Sequence, residues 1–156
     1  MRPIIHCFGV VLLAVLLSTA SLAKTCTTVG GAILTNLGGF GLIDGSPTTL
    51  GVATGDLRGG LGVQILSASP DFTTITVQHH WVTDDGETLN FDQATAHGAF
   101  VATELLAITD YKVHLSGGTG RFANATGDMS AIGEVDFSTG HAILRYSGTV
   151  CYGGSN

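Results

Sequence analysis

The sequence predicts an all-β protein, a single closed antiparallel barrel of about eight strands. Short segments of alternating apolar and polar residues recur along most of the chain, separated by Gly, Asn and Asp. No stretch after residue 24 has a helical period. Two cysteines, Cys26 and Cys151, stand near the two ends of the strand-bearing segment.

The chain begins MRPIIHCFGVVLLAVLLSTASLA. Arg2 supplies a positive start, and Val10 to Leu17 form an apolar run too short to span a bilayer. Ala20-Ser21-Leu22-Ala23 ends in the small-x-small pattern of a cleavage site. Residues 1–23 therefore read as a signal peptide cut after Ala23, and residues 24–156 as one β-barrel domain, secreted to an extracellular or periplasmic space. No second apolar run approaches membrane length, so no membrane partner is expected after cleavage.

Export decides the cysteine reading. Cys7 leaves with the signal, and in an oxidising compartment Cys26 and Cys151 are expected to pair. A loop of that length restricts the unfolded chain by about 4–5 kcal/mol on the entropy model. No Cys-x-x-Cys or Cys/His cluster is present, so no metal and no cofactor is expected. Loss of Arg2 leaves five basic residues against twelve acidic, a net charge of −7, which argues against nucleic acid as a partner. Of the 23 glycines, 22 lie after the signal, as a chain with many tight turns and bulges requires.

Strands are expected near Cys26–Leu34, Thr48–Gly55, Gly62–Ala68, Thr73–Thr83, Glu87–His97, Ala99–Ala107 running on to Leu115, Gly127–Phe137 and Gly140–Tyr152. Asp84-Asp85-Gly86-Glu87 reads as a hairpin turn, since Asp-Gly supplies the positive φ such turns need, and Ser138-Thr139-Gly140 reads as a second. Asn36 to Pro47, rich in glycine, reads as a loop. Ile75, Val77, His79 and Trp81 share one face of their strand. Tyr111, Val113 and Leu115 share a face, with Thr109 expected beside them in the interior. One buried and one wet face marks antiparallel sheet, and closure into a barrel removes exposed edges. A bond from Cys26 to Cys151 would make the first and last strands neighbours at the seam.

Residues 117–127 read Gly117-Gly118-Thr119-Gly120-Arg121-Phe122-Ala123-Asn124-Ala125-Thr126-Gly127. This string resembles the Gly-Gly-Thr-Gly-x-Phe signature of the allene oxide cyclase and dirigent barrel superfamily, and most of all its small secreted bacterial members. The resemblance implies a calycin-type closed barrel and carries no activity residue by residue. Physically the string suits a strand-to-strand corner: Gly117, Gly118 and Gly120 permit positive φ, Phe122 plugs the barrel end, and Arg121 ties down turn carbonyls. Gly118-x-Gly120-x-x-Ala123 mimics a dinucleotide fingerprint, but strand sequence follows where a helix must open. Ala53-Thr54-Gly55-Asp56 echoes Ala125-Thr126-Gly127-Asp128, too briefly for a repeat.

Adjacent His79 and His80 point to opposite faces of one strand and cannot chelate one metal together. His79, Trp81 and Tyr111 are the candidate ligand-binding residues, facing the interior. Asp92 and Asp110 oppose apolar neighbours and are expected in solvent. Asp84, Asp85 and Glu87 read as a solvated turn, and Asn124-Ala125-Thr126 as a glycosylation sequon relevant only in a glycosylating host. No nucleophile elbow is present. The reading that ranks first is a small secreted barrel that binds a small apolar molecule or acts through its surface. A cyclase or isomerase, or a dirigent-like protein, steering a reactive substrate by confinement ranks second. The sequence does not fix an oligomeric state.

Overall fold

The computed structural model describes residues 24–153. The expected signal peptide, with Cys7 and the cut after Ala23, lies outside them. Nine strands run in chain order: β1 (Thr25–Ile43), β2 (Ser46–Ala53), β3 (Gly59–Ala68), β4 (Thr74–Thr83), β5 (Thr88–Phe91), β6 (Ala94–Ala102), β7 (Leu105–Gly118), β8 (Thr126–Asp136) and β9 (His141–Tyr152). All pairings are antiparallel, and the order β3-β2-β1-β9-β8-β7-β5-β4 closes through β3–β4. The nine strands fill eight positions. β5 pairs with β4 at His80–Val82 and β6 with β4 at Thr74–Val77, and both pair with β7 on the other side. The barrel is thus the closed all-β architecture that the alternation predicts.

β1 and β9 are neighbours across twelve residue pairs, from Thr25↔Tyr152 to Asn36↔His141. Cys26 and Cys151 face each other in that ladder with Cα atoms 3.9 Å apart, and they are bonded. The disulfide therefore clasps the seam at the end where the chain enters and leaves.

Three expectations on the strands are corrected. The segment from Asn36 to Pro47 is not a loop: β1 continues to Ile43 and β2 starts at Ser46, joined by a tight turn with Asp44 and Gly45 at φ 47° and 74°. Its glycines accompany register shifts after Leu37 and Gly39, so a bulged hairpin reads as loop composition. The expected strand Glu87–His97 breaks at Asp92-Gln93 into β5 and β6. The expected run from Ala99 to Leu115 is a hairpin, β6 to β7, turning at Glu104 with φ 61°.

Thr109 is the fourth correction. It is exposed, whereas Leu106 and Ile108 before it and Tyr111 and Leu115 after it are buried. The β7–β8 register shifts between Ile108 and Lys112, and this irregularity reverses the inward phase midway along β7. Asp92 and Asp110 are exposed, as their opposition to Phe91 and Tyr111 requires.

Candidate ligand cavity

The two ends of the barrel are built differently. At one end lie the β2–β3, β4–β5 and β7–β8 connections and the disulfide; at the other lie β1–β2, β3–β4, β6–β7 and β8–β9.

The first end is shut by two short 3-10 turns, Gly55–Leu57 and Gly120–Phe122. Each follows an extended threonine, Thr54 (φ −113°, ψ 174°) and Thr119 (φ −117°, ψ 170°). Each starts on a left-handed glycine, with φ 84° at Gly55 and 55° at Gly120. Each ends on a fully buried apolar side chain, Leu57 or Phe122. The two Thr-Gly-x-apolar segments are thus conformational twins, a repeat that the sequence echo at Ala53–Asp56 only half locates.

Hydrogen bonds fix both plugs. The Trp81 indole N–H donates to the Leu57 carbonyl at 2.9 Å. The Tyr146 hydroxyl donates to the Thr54 carbonyl at 2.8 Å and accepts from the Leu57 N–H at 3.0 Å. Around Phe122, Glu87 accepts from the Arg121 N–H at 2.8 Å and pairs with the Arg121 guanidinium at 3.0 Å. The same guanidinium lies 4.9 Å from the Phe122 ring centre. Arg121 thus binds the Glu87 carboxylate and not turn carbonyls, because the β4–β5 turn projects that carboxylate over it. A side chain at Gly120 would collide with Glu87, and its φ already excludes one without strain. Asp84 is paired with Arg58 at 3.3 Å.

The other half of the interior is hollow. A cavity of about 360 Å³ runs from the middle of the barrel to the end opposite the plugs. Val63, Ile65, Ile75, Val77, Ile108 and Leu144 form much of its wall. Leu37, Pro47, Phe72, Phe137 and Gly140 surround its mouth. Phe72 stands edge-on to Phe137 with centroids 5.7 Å apart, and Phe100 lies 6.0 Å from Phe137. Thr35, Thr49, His79 and Tyr111 are its polar lining residues.

The three candidate ligand-binding residues occupy two levels. His79 and Tyr111 line the cavity. Trp81 does not: it lies two residues further along β4, packed against Phe91 and Tyr146 and bonded to the Leu57 plug. The mouth residues escape a reading by alternation: Phe72 falls outside every expected strand, and Phe137 is the last residue of the expected strand Gly127–Phe137, just before the turn at Ser138-Thr139.

His79 and Tyr111 form a buried pair. Tyr111 Oη lies 2.6 Å from His79 Nε2, and the rings stack with centroids 5.8 Å apart. Phe91 flanks the imidazole at 5.3 Å. Burial, and secondarily the neighbouring His80, pulls the His79 pKa down to about 4. Burial pushes the Tyr111 phenol well above its ordinary value. Both groups are therefore neutral at pH 7. The bond forms either with the phenol donating to Nε2 or with Nε2–H donating to the phenol oxygen, according to the imidazole tautomer. Nδ1 is buried and has no hydrogen-bond partner. An unpaired buried polar atom costs about 1–3 kcal/mol.

Comparison with protein-family profiles and with curated proteins finds no match for this chain. Among solved structures, the dirigent protein pterocarpan synthase is similar over 87% of this chain and 90% of its own, at 12% identity and a TM-score of 0.39. That is a likeness to another barrel; it identifies neither a family nor an activity.

Proposed function

We propose that this chain is a secreted barrel protein that holds a small apolar molecule in the open half of its interior. The observation that carries the reading is the apolar cavity of about 360 Å³, open at one end and floored by packed side chains at the other. Secretion is supported by the signal-like residues 1–23 and by the Cys26–Cys151 bond, which suits an oxidising compartment. Kinship with the allene oxide cyclase and dirigent superfamily, its secreted bacterial members included, is supported by the Gly117–Gly127 string, which forms the plugged corner between β7 and β8.

Native mass spectrometry of the exported protein tests this reading. A non-covalent adduct of small mass that is lost on acid unfolding is the expected result. A single mass for bare protein, together with no uptake of apolar probes, would return the function to the outer surface. A second reading, a cyclase or isomerase acting by confinement, is favoured by one feature, the neutral His79–Tyr111 pair in the cavity wall.

A further inference from the structure

We propose that two copies of this chain pair through the outer face of β8, β9, β1 and β2, about a two-fold axis that lies along a row of exposed apolar side chains. The pairing is independent of what the cavity holds.

Charge is spread unevenly around the barrel. The neighbouring strands β1, β2 and β3 contain no Asp, Glu, Lys, Arg or His. Across the barrel, β7 alone presents Asp110, Lys112 and His114 to solvent. Copies of an acidic chain repel each other, and the repulsion is least where the uncharged side faces its like. That side is also apolar. Val52 stands opposite Leu34 in the β2–β1 ladder, and Leu34 opposite Ile143 in the β1–β9 ladder. Ile132 on β8 is the diagonal neighbour of Ile143. These four side chains are 44–57% exposed. Single exposed apolar residues need no explanation, but these form one continuous row across β2, β1, β9 and β8. A groove of about 330 Å³, walled by Leu34, Leu50 and Ile143, adjoins it.

The β8–β9 end of the row points to a second copy as the partner. Ile132 lies opposite Arg145, and Glu134 opposite Ile143. The four exposed side chains make a square, with isoleucine on one diagonal and opposite charges on the other. Neither Arg145 nor Glu134 has an ion-pair partner among the described residues. A two-fold axis along the isoleucine diagonal brings Arg145 of each copy onto Glu134 of the other. Leu34 and Val52 extend the apolar contact along that axis. An isologous contact must be self-complementary, and this pattern is. A specific dimer buries about 800 Å² on each copy. The row supplies the apolar centre of such an interface, and the surrounding uncharged surface supplies its rim.

Analytical ultracentrifugation of the purified exported protein tests the pairing. The expected mass is that of two chains. Arg145→Glu and Glu134→Arg should each weaken pairing by about a hundredfold, because like charges then meet at both contacts. Both sites are exposed, so circular dichroism should not change. Mixing the two single variants should restore a dimer that holds one of each, and the double swap Arg145→Glu/Glu134→Arg should restore one by itself. Leu34→Ser should weaken pairing with the charges intact. A wild-type protein that stays monomeric at its highest soluble concentration overturns the proposal, as does a trimer, or a dimer that both single reversals leave intact. A monomer that floats with phosphatidylcholine vesicles, and ceases to in Leu34→Ser, would assign the face to a lipid surface and overturn it too.

Discussion

The plugged end and the open end of this barrel are made from the same strands, yet they spend their side chains differently. At the plugged end, Leu57, Leu115, Phe122 and Val150 are fully buried, and Trp81 and Tyr146 spend their polar atoms on a plug. At the open end, Phe72 and Phe137 stand half-exposed around a cavity. An eight-position barrel is just wide enough for side chains to fill. The wall of the hollow half includes small side chains, Val63, Val77, Ala96, Val135 and Ala142, among the larger ones. One half is closed by packed side chains, and the other is left open as a cavity.

The largest expected effect breaks the plugged half. Phe122→Ala should cost about 3–5 kcal/mol and Leu57→Ala about 2–5 kcal/mol, since both side chains are fully buried. The double variant should exceed either, and in a domain of ordinary stability it should leave little folded protein. Urea unfolding followed by circular dichroism reads this out. Ile75→Ala, at the partly buried cavity wall, should cost visibly less; an equal cost would mean that the open half is as tightly packed as the plugged one.

Next is the seam. Reduction of Cys26–Cys151 should cost about 4–5 kcal/mol on the entropy model, by freeing the unfolded chain. The β1–β9 ladder of twelve pairs should keep the strand signal intact below the shifted transition. Loss of strand content on reduction in buffer without denaturant would show that the clasp, and not the ladder, closes the barrel.

Third comes the level where the halves meet. His79 takes up a proton near pH 4 when folded and near 6.5 when unfolded. Between those values the unfolded chain binds more protons, so stability rises with pH through the window and falls on acidification. The loss from pH 6.5 to 4 should be roughly 3 kcal/mol. The titratable groups near the ring are Tyr111, in contact with it and neutral throughout, and His80, adjacent in sequence but on the outer face. His79→Leu should flatten that part of the profile. An unchanged slope in the variant would assign the acid sensitivity elsewhere.

The closed antiparallel barrel was legible because alternation survives in β4, where Val77, His79 and Trp81 are all buried, and because Gly86 and Gly140 mark their turns with φ of 81° and 73°. Alternation fails where register shifts. The irregularity after Ile108 reverses the inward phase of β7, so a reading that counts back from Tyr111 by twos places Thr109 inside. Glycine misleads between Asn36 and Pro47, because bulged strands and loops share a composition. The Leu57 plug escaped because its likeness to Phe122 lies in backbone conformation, with Asp56 where the second segment has Arg121. The cavity is least legible of all, since empty space follows from side-chain volumes at positions brought together only by closure.

The smallest expected effect on stability sharpens the comparison most. Phe72 has φ 57°, a left-handed conformation that is strained for an aromatic residue. Its turn is held by Asp71, which accepts from the Ser69 and Thr73 hydroxyls at 2.6 and 2.9 Å, and by the Phe72 N–H bond to the Ser69 carbonyl at 2.9 Å. Phe72→Asn puts a residue that tolerates this φ in its place and relieves about 1 kcal/mol of strain. It also removes the edge contact with Phe137, worth about 0.5–1.5 kcal/mol. The two changes oppose, so the melting temperature should move little. Dissociation of a bound apolar fluorescent probe, followed by stopped-flow mixing with competitor, should nevertheless quicken, because the ring that narrows the mouth is gone. The matching change at the plugged end, Phe122→Ala, inverts the pattern: a large loss of stability and no direct opening of the exit. If Phe72→Asn leaves the dissociation rate unchanged, the molecule leaves by another path, and the mouth between Phe72 and Phe137 is not the door.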